Sequence, residues 1–298
     1  APPGQGPNNK FLEHILVLEN STSSKILWGL ENPLMARAAV REAASQGFKF
    51  IKLWVDDRGG SQQKLAPMLY RAVAEEASSL GLKVFIHQQL AQDMPDLITA
   101  GVDGFLHGRL GRSLGPETAR QLNRSGTFVV PNLGLGELRR EAIGADPFLA
   151  DILSEGLLNQ LSSSGNQRLT LVTRDTDVEE ELRASFNALL EANVDIVLGT
   201  DAGAVPGHPF GYTGHRELEI YIRLGMSEME ALMAATSIAA THLQLDDMGL
   251  LQSGFRADFV VLEENPLEDI RNTRSIWAVY LGGRSVDRES LRNKWQNR

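Results

Sequence analysis

Cysteine is absent from all 298 residues. That excludes a disulfide framework and any thiolate metal site, so a bound metal must be held by histidine, carboxylate or something less ordinary. It leaves the compartment open. A run of basic residues is missing too: 38 Asp and Glu stand against 29 Lys and Arg, for a formal net charge of −9. The electrostatic footprint of a nucleic-acid binder is therefore not there. No apolar run approaches the ~20 residues that cross a bilayer. The first residues, Ala1-Pro2-Pro3-Gly4-Gln5-Gly6-Pro7-Asn8-Asn9, carry neither a Met nor a signal-peptide pattern. They predict a chain cut from something longer.

What is present is globular. The chain is 42% hydrophobic and 22% charged, the balance of a soluble protein. Its length suits one large barrel or two ordinary domains. From residue 30 a rhythm sets in. Asn32-Pro33 reads as an N-cap and first helical residue, the helix from Leu34 to Gln46 stops at Gly47, and Phe48 to Val55 has strand length and composition. The pattern recurs as a helix from Ala66 to Leu80 and a strand from Leu82 to His87. A helix from Asp96 to Ala100 then precedes a strand from Val102 to His107, and a helix from Pro116 to Asn123 one from Thr127 to Leu133. Residues 134–176 read as helical hairpins or loops. A helix from Val178 to Ala192 then delivers a strand from Val194 to Leu198. Ser227-Glu228-Met229-Glu230 matches a capping box for a helix from Ala231 to Leu245. Beyond Gly249, Ala257 to Leu262 and Ile276 to Leu281 read as strands of a small β domain. Alternation of this kind predicts βαβ units and a parallel sheet covered on both faces.

The informative residues are the polar ones at the strand ends. Lys52 lies within the first strand, His87 and His107 end the next two, and Asp201 follows the last. In barrels of parallel strands, side chains from the C-terminal strand ends converge on one site. Singly, each has a bland explanation: a strand-end His as a hydrogen-bonded structural group, Lys52 reaching out to the rim, Asp201 as a turn residue. Together, all four would have to coincide at one end of one sheet.

The ordered series Ile51-Lys52-Leu53-Trp54, Val84-Phe85-Ile86-His87, Gly104-Phe105-Leu106-His107-Gly108 and Leu198-Gly199-Thr200-Asp201-Ala202-Gly203 resembles the amidohydrolase superfamily. Its prolidase-like and imidazolonepropionase-related branch is the nearest likeness. The segments Ala234 to Ala240 and Ser253 to Leu262 resemble those that close its barrel and return to its β-sandwich. The resemblance implies a (β/α)8 TIM barrel, N-terminally truncated, with a remnant of the sandwich. Residues 1–29 would be a loop and connector, 30–248 the partial catalytic barrel, and 249–298 the C-terminal strands of the small domain.

The resemblance also implies a binuclear centre of zinc, with manganese or cobalt as alternatives, bridged by a carbamylated Lys52. His87 and His107 would bind the more exposed metal, and Asp201 the more buried one while serving as general base. A lysine ammonium cannot ligate metal, whereas its carbamate is an anionic oxygen donor, and burial of the amine would assist CO₂ addition. Arg109 and His215 are candidate substrate contacts. The implied activity is hydrolysis of a C–N amide bond in a small peptide, a Xaa-Pro dipeptide or an N-acyl amino acid. Opening of a cyclic amide or lactone on the same metals is the alternative. The family's His-x-His pair occurs nowhere in this sequence, so a non-catalytic barrel subunit is a further alternative. The expected partner is a small-molecule or peptide substrate, with no nucleic acid and no membrane; a homo-oligomer is compatible with the sequence.

Overall fold

The computed structural model describes residues 1–5, 9–88, 90–107, 114–137, 143–166, 176–204 and 207–296. The chain divides into two compact units, Ala1–Val130 with Glu191–Val194, and Pro131–Leu190 with Asp195–Arg298.

The first unit is built on four parallel strands in sequential order: β1 (Phe50–Val55), β2 (Lys83–Gln88), β3 (Gly104–Leu106) and β4 (Phe128–Val130). Helices α1 (Asn9–Thr22), α2 (Pro33–Ser45), α3 (Pro67–Ser79), α4 (Met94–Thr99) and α5 (Pro116–Ser125) precede and connect them. The predicted βα alternation is thus present, with β1, β3 and β4 shorter than expected and β2 shifted by one residue. Asn32 caps α2 through its side chain, which accepts from the Met35 amide at 2.9 Å. Ala36, Val40 and Ala43 of α2 are buried at helical spacing, beside the buried Leu69, Ala72 and Val73 of α3. Residues 9–22 were expected as loop and form a helix. Its apolar Phe11, Ile15 and Leu18 recur every three to four residues, with Ile15 buried.

Strand register sorts the side chains by face. Lys52 pairs with Phe85, Phe85 with Gly104, and Gly104 with Phe128; two residues on, Trp54 pairs with His87. In a parallel sheet these rows share one face. Leu53, Val55, Ile86 and Phe105 point the other way and are buried. Gly104 is needed in its row, because a Cβ there would stand 2.4 Å from the Phe128 ring.

The second unit carries α6 (Gly134–Glu137), α7 (Pro147–Ala150), α8 (Glu155–Asn166), α9 (Thr176–Glu191), α10 (Tyr212–Arg223), α11 (Glu228–Ala235), α12 (Ser237–His242) and α13 (Arg288–Gln296). An antiparallel sheet of β5 (Phe259–Leu262), β6 (Ile276–Leu281) and β7 (Arg284–Ser285) completes it. Two sequence expectations are corrected here. The strand predicted over Val194 to Leu198 is reduced to a single bridging residue, Ile196. The Leu198 amide donates instead to the Ala234 carbonyl of α11 at 3.0 Å. The helix predicted from Ala231 to Leu245 is broken at Thr236 (φ −129°, ψ −92°), whose hydroxyl bonds back to the Leu232 carbonyl at 2.7 Å. The capping box at Ser227 forms as predicted.

Candidate metal centre

β1 and β2 position the first pair of rings. At their matched positions Trp54 and His87 stack at 3.5 Å between centroids and 9° between planes. His87 is 4% exposed. Its Nε2 lies 3.2 Å from Oδ2 of Asp56, the residue that follows the last of β1. Asp56 is itself fixed: its Oδ1 accepts from the Arg58 amide at 2.9 Å, and the Arg58 guanidinium lies 3.3 Å from its Oδ2. With Asp56 as acceptor, Nε2 of His87 carries the proton and Nδ1 presents a bare lone pair. Nδ1 is buried and has no hydrogen-bond partner.

Burial above all, helped by the nearby His107, Lys52 and Arg58, pushes the His87 pKa down to about 2. The ring is neutral at pH 7, the state in which an imidazole can ligate.

His107 enters from the end of β3. Strict alternation along the strand would send it to the face opposite His87. It adopts instead a left-handed conformation (φ 43°), which ends the strand and brings its ring to 4.6 Å from that of His87. Left-handed residues other than glycine are uncommon and concentrate where function holds them. Nε2 of His107 is 3.4 Å from Nζ of Lys52. Lys52 is exposed although Phe85 and Phe128 of its own row are buried, so the burial of its amine expected from the sequence is not found.

Lys52, His87 and His107 are therefore brought together within the first unit. Among the described residues no three His, Asp or Glu side chains gather into a cage of their own; two imidazoles and a lysine are the set present. Imidazole nitrogen, and a carbamate oxygen if Lys52 carries one, are donor types that a divalent cation accepts. His87 has one nitrogen tied to a carboxylate and the other bare, the arrangement by which metal-binding histidines are oriented, and the His107 ring stands beside it.

Asp201 belongs to the second unit. It is exposed, with φ 53°, and its carbonyl accepts from the Ala204 amide at 3.1 Å and faces Nδ1 of His208 at 3.3 Å. His215, in the first turn of α10, directs Nδ1 to the Thr273 hydroxyl at 2.9 Å. That hydroxyl spends its proton on the Ile270 carbonyl, so Nδ1 is the donor and Nε2 the bare nitrogen. Arg109 lies outside the described residues. The sequence reading missed Asp56 and Trp54. The only signal was that Asp56 follows directly on a strand whose side chains already include a candidate ligand.

Two expectations follow from this geometry. Asp56→Asn should weaken divalent-metal affinity by about 10–100-fold without unfolding the chain, read by calorimetric titration with zinc; unchanged affinity would remove Asp56 from the site. The second concerns His215, whose pKa burial and Arg274 push down to about 4 from an ordinary 6.5. Below pH 6.5 the unfolded chain takes up a proton that folded His215 refuses. Stability should then fall as the pH drops towards 4, by up to about 1.4 kcal/mol per unit for this group. Urea midpoints at pH 7 and pH 5 check it, and His215→Gln should flatten the slope.

Known proteins resemble this chain over most of its length. The profile of the Amidohydrolase family matches residues 31–286. Ochratoxinase of Aspergillus niger is 37% identical over 260 residues, covering 83% of this chain and 48% of that protein. Imidazolonepropionase of Deinococcus deserti is 34% identical over 96 residues, 30% of this chain and 24% of that protein. Among solved structures, a Xaa-Pro dipeptidase with methionine bound in its active site superposes with a TM-score of 0.65 and 27% identity, over 87% of this chain and 59% of that one. The chain spans about half the length of the curated ochratoxinase it matches.

Proposed function

The chain belongs to the amidohydrolase family, and on that premise we propose that it carries the divalent-metal site of a hydrolase that cleaves C–N amide bonds in small peptides or N-acyl amino acids. The supporting observation is His87: Nε2 bonded to Asp56 at 3.2 Å, Nδ1 buried and bare, and the His107 ring 4.6 Å away. His87 and His107 would hold the cation, zinc or else manganese or cobalt, with Lys52 as a third donor once its amine bears a carbamate. Such a cation, when bound, polarises a carbonyl oxygen and lowers the pKa of water.

The rest is the work of the chain. Asp56 sets the tautomer of His87, and the stacked Trp54 fixes the plane of its ring. Phe85 and Phe128, edge to face at 5.2 Å, form an apolar floor along the same face of the sheet. Asp201 is the proposed proton acceptor. His215, through its bare Nε2, and Arg109 are the proposed substrate contacts.

The names of two relatives, ochratoxinase and Xaa-Pro dipeptidase, select ochratoxin and Xaa-Pro dipeptides as the first substrates to assay, beside simple N-acyl amino acids. Turnover should vanish on chelation and return with zinc, manganese or cobalt. Turnover that ignores the chelator would contradict the proposal.

A further inference from the structure

Trp54 has a feature that packing leaves unexplained. Its indole Nε1 is buried and meets no acceptor among the described residues. A buried N–H without an acceptor is costly, and native proteins rarely keep one that no ligand or water satisfies. The ring is not free to turn and find a partner. It lies flat on His87 at 3.5 Å, and the Arg58 guanidinium sits 4.7 Å from its centroid. Trp54 is two residues beyond Lys52 in β1, so both side chains leave the same face of the sheet, roughly 6.6 Å apart along the strand. Nζ of Lys52 already lies in this cluster, 3.4 Å from Nε2 of His107.

Carbamate formation on Lys52 can be favoured by a group that holds the product. In the addition, the amine lone pair forms a C–N bond to CO₂ and one C=O electron pair moves onto oxygen. An N–H proton leaves to water, and the result is an N-carboxylate with one negative charge. Lysine thereby changes from a group that only donates hydrogen bonds into one that accepts them. An indole N–H only donates; it has nothing to offer the ammonium and matches the carbamate.

Resting on the reading of Lys52 given above, we propose that Nε1–H of Trp54 is the donor that captures and orients a carbamate on Lys52. Trp54 is then a positioning residue twice over: its ring aligns His87, and its N–H fixes the oxygen donor beside it.

The test is carbon-13 NMR of the 298-residue chain in labelled bicarbonate with zinc added, alongside Lys52→Ala as the blank. The native chain should show a carbamate carbon that the blank lacks. Trp54→Phe keeps a ring on His87 and loses the N–H; its carbamate formation constant should fall about tenfold or more, the worth of one charge-assisted hydrogen bond. Trp54→His restores an N–H and should recover part of the loss, which a merely structural role would not explain. Equal labelling of Trp54→Phe and the native chain would overturn the role of Trp54 and leave the carbamate standing. No label in the native chain would overturn the carbamate on Lys52 and this proposal with it, while His87 and His107 would still be judged by zinc titration.

Discussion

His87→Ala is expected to abolish tight binding of a divalent cation and to lower amide turnover by about a thousandfold or more, beyond the 10–100-fold typical for loss of an outer partner such as Asp56. His87 and His107 are the two imidazoles of the proposed centre, so deleting one halves its imidazole donors. The variant should fold. Asp56 loses a neutral partner but keeps the Arg58 guanidinium at 3.3 Å, and Trp54 loses a stacking face without losing its place in β1. Zinc titration and kcat/KM on the best amide substrate check the expectation together. A His87→Ala chain that bound zinc as the native one does would show that the bare Nδ1 is only a packing feature.

The second large effect concerns stability. Glu217 of α10 is fully buried, and its carboxylate accepts the amides of Leu133 at 2.8 Å and Gly134 at 2.6 Å. It caps the start of α6 from more than eighty residues away. The buried Tyr221, one turn on, donates its hydroxyl to the Val197 carbonyl at 3.3 Å, and burial first and the Glu217 charge second push its phenol pKa well up. Glu217→Ala removes the acceptor, strands two amide donors, that of Gly134 buried and that of Leu133 half-buried, and opens a cavity. The expected cost is about 3–5 kcal/mol, a fall in thermal midpoint on the order of 10 °C. Glu217→Gln, which keeps an acceptor oxygen, should cost less. Thermal and urea unfolding of the two variants measure it; a midpoint within a degree of native for Glu217→Ala would mean that the carboxylate does not hold this turn.

Much of this architecture was legible along the chain, because helix caps and strand composition are local. Asn32, Pro33 and the Ser227 capping box act over three or four residues, and the alternation of helix and strand needs no knowledge of contacts. That His87 and His107 lie at one end of the sheet was legible too, because parallel strands bring their ends to one side. The contribution of Asp56 and Trp54 was not. It depends on strand register, which sets Trp54 beside His87, and on an Asx turn that aims Asp56 across from β1 to β2. Helix α10 was hidden by a weak start, with Gly211 at its N-cap, no side-chain cap and Gly214 in its first turn. The backbone turn at His107 was equally invisible, since alternation predicts the wrong face for it.

The proposed function requires that the cluster of Lys52, His87 and His107 hold a metal ion. Elemental analysis of the purified chain by plasma mass spectrometry, with the His87→Ala/His107→Ala double variant beside it, tests that claim most directly. The native chain should retain a zinc-like ion that the double variant loses. No ion in the native chain after dialysis against zinc, or the same ion content in both proteins, would contradict it.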